Sequence, residues 1–223
     1  RDRIDEKNKR NRILLSSVEH PASIETAKYL IKKGYKVEFV PVDSIGELRL
    51  DKLSEMMGDD VCLLSVMTGN NESGVIQPVK EAASIAHKWG AYFHTDATQA
   101  IGKIKVDVKD IDADYLSMSG HKFYGPKGIG VLYAKKGVPF TPFVHGGHQE
   151  KGLRAGTYNN QAIIGLGKAA ELARLNLDEE REKLWTLLEM LRKCIEERIH
   201  NVVVNGTNDK NKCLPGTLKV SFP

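Results

Sequence analysis

The run VCLLSVM at residues 61–67 reads as one continuous apolar segment. A strand with a single buried face alternates polar and apolar side chains. A strand buried on both faces does not alternate, and this is how a central strand of a helix-covered parallel sheet reads. The neighbouring segments fit such a sheet. ILLSS (13–17), YKVEFVPV (35–42), AYFHTD (91–96), DYLSMS (114–119) and IGVLYAK (129–135) are strand-like. Between them lie helical patterns: HPASIETAKYLIKKG (20–34) closing on Gly34, LDKLSEMMG (50–58) closing on Gly58, and PVKEAASIAHKWG (78–90), which opens on proline and stops at Gly90. Residues 160–175 and 179–200 read as helices, and VVVNG (202–206) and TLKVSF (217–222) as closing strands. Strand and helix alternate for most of the length. The pattern predicts an α/β fold with a mainly parallel sheet flanked by helices.

With 223 residues and 41% hydrophobic content, the chain can bury one sizeable core and part of a second domain. We expect a large domain over 1–175, and a linking helix with the start of a smaller C-terminal α+β domain over 176–223. The net charge of +4 is slight and dispersed, and gives no support for a nucleic-acid partner. The charged lead-in RDRIDEKNKRNR (1–12) reads as solvated. Three cysteines, Cys62, Cys194 and Cys213, lie far apart with no CxxC pair, which fits a reducing compartment, cytoplasmic or mitochondrial. No apolar run approaches membrane-spanning length, and no signal peptide is visible. The chain opens on Arg1 and stops straight after a strand-like run, so both ends read as cut.

In parallel sheets, ligands bind outside the carboxyl ends of the strands. Three strand-like runs here are followed by polar groups: Asn70-Asn71-Glu72 after VCLLSVM, Asp96 after AYFHT, and Ser119-His121-Lys122 after DYLSM. Lys122 stands in SGHKFYGPKG between a histidine and an aromatic. An amine that attacks a carbonyl must be neutral part of the time, and desolvation with nearby cationic character promotes this. The plainer alternatives are a surface lysine or a phosphate contact in a glycine-rich loop. Asp96 in HTDATQ suits a protonated ring nitrogen, and Gln99 shares its face of a helical turn; the plainer reading of Asp96 is a helix cap. His20 is a ring stacker or a cap. Asn71 is a donor or a turn residue. Ser119, His121, Arg154 and Thr157 are candidate phosphate contacts. An amine, a ring-nitrogen partner, a stacker and a phosphate cup together match the needs of pyridoxal 5′-phosphate.

The blocks VEH (18–20), MTGNNESG (67–74), HTDATQAIGK (94–103), SGHKFYGPKGIGVLY (119–133) and HGGHQEKGLRAGT (145–157) resemble the cysteine desulfurases and selenocysteine lyases of the class V aminotransferase group. The resemblance runs in order and spacing from about Leu14 to Ala173 and continues more weakly to Pro223. It implies the fold-type I architecture of pyridoxal phosphate enzymes: a seven-stranded, mainly parallel sheet with flanking helices and a smaller C-terminal domain. It implies that Lys122 joins the cofactor aldehyde and later moves the substrate's α-proton, that His20 stacks on the ring and assists proton transfer, and that Asp96 pairs with the ring nitrogen. Gln99 would meet the phenolic oxygen, Asn71 the substrate carboxylate or ring oxygen, and Ser119 and His121 the phosphate. Thr157 would reach the phosphate from the other subunit of a homodimer. The implied substrate is L-cysteine or L-selenocysteine, with the sulfur passed to an acceptor protein for iron–sulfur cluster assembly.

Parts of that pattern have no counterpart here: an upstream phosphate loop, a downstream mobile loop with the nucleophilic cysteine, and a carboxylate-gripping arginine beyond it. We therefore expect the chain alone to bind cofactor weakly or not at all and not to desulfurate. Cys62 reads as packing, Cys194 as packing or surface, and Cys213 as the one loop cysteine. Two further readings stay open. His94, Asp96, His121, His145, His148 and Glu150 carry HxD and HGGH spacings that a metal ion can use. A non-catalytic scaffold is the other.

Overall fold

The computed structural model describes residues 10–222. Most of the charged lead-in read over 1–12 lies outside the described residues; Arg12 already belongs to the first strand. The strands are β1 (Arg12–Ser16), β2 (Lys36–Val40), β3 (Val61–Ser65), β4 (Tyr92–Asp96), β5 (Tyr115–Ser119), β6 (Gly130–Ala134), β7 (Val203–Asn205) and β8 (Lys219–Ser221). The helices are α1 (Pro21–Ile31), α2 (Leu50–Met56), α3 (Val79–Lys88), α4 (Val108–Ile111), α5 (Asn160–Leu175) and α6 (Leu177–Arg198). A six-stranded sheet has the order β2-β1-β3-β4-β5-β6, parallel throughout except for β6, which pairs antiparallel with β5. Strands β7 and β8 form a separate antiparallel pair. Among the described residues no helix is long and apolar enough to cross a membrane.

VCLLSVM is indeed central, and its two faces feed two cores. Leu14, Leu64 and Phe93 lie in register on one face and pack with Val40, Leu53, Ala82, Ala83 and Ala86 under α2 and α3. Ile13, Leu15 and Cys62 pack with Ala27 of α1. Full burial of a side chain such as Phe93 stabilises by about 1.5–3 kcal/mol. Several boundaries differ from the sequence reading. The first helix ends at Ile31 rather than Gly34, although Gly34 does take φ 93° just after it. The second ends at Met56 because Met57 is extended. Four-residue α4, capped by Asp107 and closed by Asp112 at φ 58°, is too short for a periodic signal.

The β1 and β3 exits are joined by side chains. Glu19 Oε1 accepts from the Met67 N–H at 2.6 Å and from the Ser16 hydroxyl at 2.7 Å. Its Oε2 is buried with no hydrogen-bond partner among the described residues. The Asn70 amide donates to Val18 O at 2.9 Å and its Oδ1 accepts the N–H groups of Glu72 and Ser73. The hydroxyls of Thr68 and Thr95 pair at 2.8 Å, joining the β3 exit to β4. One layer deeper, His94 lies between Ser65 Oγ at 2.8 Å and Ser117 Oγ at 2.9 Å, and its burial lowers its pKa.

Burial, helped by the charge of Asp96, pushes the Glu19 carboxyl up to about 7 from an ordinary 4.5. The folded chain then holds that proton to higher pH than the unfolded chain does. The resulting stabilisation is complete below about pH 4.5 and is lost as the pH rises through about 7. Over that window it amounts to about 3 kcal/mol. Glu19→Gln keeps the Oε1 acceptor and removes the titration. Urea unfolding across pH 4–8 should therefore show a slope in the wild type that flattens in the variant.

Candidate active site

The segment SGHKFYG forms a tight reversal at the end of β5. Gly120–Phe123 is a single 3-10 turn, and Tyr124 closes it in the left-handed region at φ 66°. The Gly125 N–H donates to Gly120 O at 2.9 Å, and a Cβ at position 125 would stand 2.8 Å from that oxygen. Only glycine fits there. The turn sorts its side chains: Phe123 is buried, while Lys122 is exposed. Ser119 Oγ and His121 Nδ1 lie 2.8 Å apart in a local hydroxyl–imidazole pair. The expectation that His121 and Phe123 surround and desolvate the amine is corrected here. Phe123 turns inward as an anchor, and the charge of Lys122 acts on Lys103, whose ammonium is disfavoured first by burial and then by that charge.

Asp96 ends β4. Its Oδ1 accepts from the Thr98 N–H at 2.9 Å, so it does cap the following turn. Its Oδ2 carries no hydrogen bond among the described residues and is open to a cationic partner. That turn carries Gln99, whose Oε1 accepts from Lys103 Nζ at 3.0 Å. The Gln99 Nε2 group is thereby left to donate elsewhere.

His20 also fills its plainer role. It is the N-cap of α1, with Nδ1 accepting from the Ala22 N–H at 3.1 Å, and it remains exposed. Asn71 is half-buried with no side-chain bond among the described residues, whereas its neighbour Asn70 carries the structural bonds of the turn. Because β1, β3, β4 and β5 run parallel, His20, Asn71, Asp96 and Lys122 all leave the same edge of the sheet. Thr157 stands apart, exposed before α5, and no hydrogen bond joins it to Ser119 or His121. Arg154 donates to Ala155 O at 2.9 Å. Sequence reasoning passed over Glu19 and Lys103. Glu19 carried one available signal, an acid directly following an apolar strand, which is costly unless neutralised or bonded.

The metal reading finds no support in this arrangement. Among the described residues no three His, Cys, Asp or Glu side chains converge as a metal ion requires, and His94 is occupied by two hydroxyls. Cys62 is buried and donates to Arg12 O, and Cys213 is buried, which raises its thiol pKa. Cys194 is partly buried on α6. The donor set itself suits an aldehyde-bearing phosphorylated pyridine. It offers an exposed primary amine, an open carboxylate oxygen, an outward amide N–H and a serine–histidine pair.

The family model described as Aminotransferase class-V matches residues 3–223. A cysteine desulfurase IscS of Clostridium botulinum is 48% identical over 216 residues, covering 97% of this chain and 54% of that protein. The cysteine desulfurase NifS of Azotobacter vinelandii is 42% identical over 213 residues, 96% of this chain and 52% of its own length. Among solved structures, a NifS-like protein superposes with a TM-score of 0.92 at 41% identity, over 97% of this chain and 59% of that one. A NifS-like protein from Rickettsia africae gives 0.88 at 32% identity, over 96% and 58%. The chain spans about half the length of the curated relatives it matches. Its mainly parallel sheet, the turn that presents Lys122 and these likenesses agree: the chain belongs to the class V aminotransferase family and has the fold of its NifS-like members.

Proposed function

We propose that the full-length protein carrying this chain is a pyridoxal 5′-phosphate-dependent cysteine desulfurase, working as a homodimer and passing sulfur to an acceptor protein. In this reading residues 1–175 belong to the cofactor-binding domain and 176–223 begin a smaller one. One observation carries it: an exposed lysine amine sits on a rigid turn at the same sheet edge as a carboxylate with a free oxygen, in a chain whose relatives at 42–48% identity are named cysteine desulfurases.

When bound, the cofactor supplies an electron sink for charge developing at the substrate's α-carbon. This chain's residues do the rest. Lys122 Nζ would hold the cofactor aldehyde, and the same amine would take and return the substrate's α-proton. Asp96 Oδ2 would keep a proton on the ring nitrogen, and the Gln99 amide would donate to the phenolic oxygen. The exposed His20 ring would cover one face of the cofactor, and Asn71 would orient the substrate. Ser119 and His121 would bind the phosphate, with Thr157 arriving from the second subunit. The substrate's carbon–sulfur bond breaks as a sulfur–sulfur bond forms on a protein thiolate, leaving alanine. Cys62 and Cys213 are buried and Cys194 lies on α6, so the reading gives that role to none of these three.

Loss of general acid–base help alone slows such a step by roughly 10²–10⁴-fold. In the full-length protein, Lys122→Ala should abolish both the visible absorbance of the cofactor and alanine release. Its far-ultraviolet circular dichroism should stay that of the wild type. Lys127→Ala, on the exposed side of the same loop, should leave both readouts nearly intact. Equal loss in both variants would mark a phosphate loop and overturn the reading, and faster turnover of selenocysteine than cysteine would reassign the substrate.

A further inference from the structure

The turn after β4 and the turn after β5 are pressed together at Gly102. Its φ is +79°, and a Cβ there would lie 2.8 Å from the Cβ of Phe123, the residue next to Lys122. This contact sets Lys103 beside Lys122, and both line one cavity of about 860 Å³. The other charged side chains lining it lie on α5 and α6, and they are paired. Lys168 meets Glu171 at 2.9 Å, and Lys183 meets Glu180 at 3.8 Å. Among the described residues neither Lys103 nor Lys122 has an acidic partner. Lys103 is only partly exposed, and its ammonium is disfavoured first by burial and then by the charge of Lys122. A partly buried cation facing a second cation is costly, and a hydrogen bond offsets part of that cost. The one side-chain bond of Lys103 among the described residues is the 3.0 Å donation to Gln99 Oε1.

We propose that Lys103 is a positioning residue for this site: it turns the Gln99 amide N–H toward the bound ring and holds a second positive charge beside Lys122. The inference rests on the reading that Lys122 and Gln99 contact pyridoxal 5′-phosphate. The physical logic is twofold. An amide has one acceptor and one donor end, and occupying the oxygen with an ammonium leaves only the N–H₂ end to face a ligand oxygen. The cost of standing beside Lys122 falls on Lys103, and its bond to Gln99 offsets part of that cost.

The test uses the full-length protein loaded with pyridoxal 5′-phosphate, and Lys103→Met and Lys103→Arg. Lys103→Met keeps the stem and removes the charge and the donor. It should weaken cofactor binding about tenfold, the loss expected for one charge-assisted hydrogen bond. It should also change the position or intensity of the cofactor's visible absorbance, because the Gln99 amide oxygen is no longer held by an ammonium. Lys103→Arg should restore most of both effects. A second measurement does not need the cofactor: in apoprotein labelled with 13C-lysine, Lys122→Met should raise the titration midpoint of Lys103. If Lys103→Met loads and absorbs like the wild type, or Lys103 titrates identically in the Lys122→Met apoprotein, this inference is wrong while the functional reading stands. Wild-type protein that takes up no cofactor sinks both.

Discussion

Parallel strands enter a sheet from one edge and leave it at the other, and the β1-β3-β4-β5 pairing decides where this chain can do chemistry. The exits of these strands carry backbone groups that the sheet ladder no longer satisfies. Side chains take them over. Glu19 accepts the Met67 N–H, Asn70 holds Val18 and the amides of its own turn, and Asp96 receives the Thr98 N–H. These bonds tie the connections to the sheet, and the polar groups left over stand at the same edge. A site of this kind can hold a ligand in one orientation because the frame is set before the ligand arrives.

The frame also separates structural from chemical polar residues. At three exits a side chain spent on the fold stands beside one that stays exposed or unbonded: Glu19 beside the exposed ring of the helix cap His20, Asn70 beside Asn71, Phe123 beside Lys122. The electrostatics follow the same division. The buried Glu19 carboxyl and His94 imidazole both sit near Asp96 and are both biased toward neutrality by burial. Asp96, with its open oxygen, is then the carboxylate left to face a cationic ligand atom. Lys103 and Lys122 share a cavity, and neither has an acidic partner among the described residues.

Much of this was legible before any coordinates. The unbroken VCLLSVM run predicts a doubly covered strand, and the alternation of periodic segments predicts the parallel order. Polar residues directly after apolar runs mark the carboxyl edge of the sheet, where they cap the turns or stay unbonded. What was not legible depends on contacts between distant segments. The inward turn of Phe123 and the exposure of Lys122 follow from the approach of Gly120 to Gly125, which composition does not report. The closeness of Lys103 to Lys122 depends on Gly102 meeting Phe123. The reversal of β6 follows from its short connection after the Lys122 turn, and periodicity alone is the same for either strand direction. Helix α4 is barely one turn long, so no apolar spacing can repeat within it.

Lys103 and Lys122 line one cavity, and only Lys122 is given the covalent bond here. Borohydride reduction of the full-length protein loaded with pyridoxal 5′-phosphate, followed by peptide mass mapping, decides this directly. The account predicts a single stable pyridoxyl adduct on Lys122 and an unmodified Lys103. An adduct on Lys103, or a bound cofactor that leaves Lys122 unmodified, would contradict it.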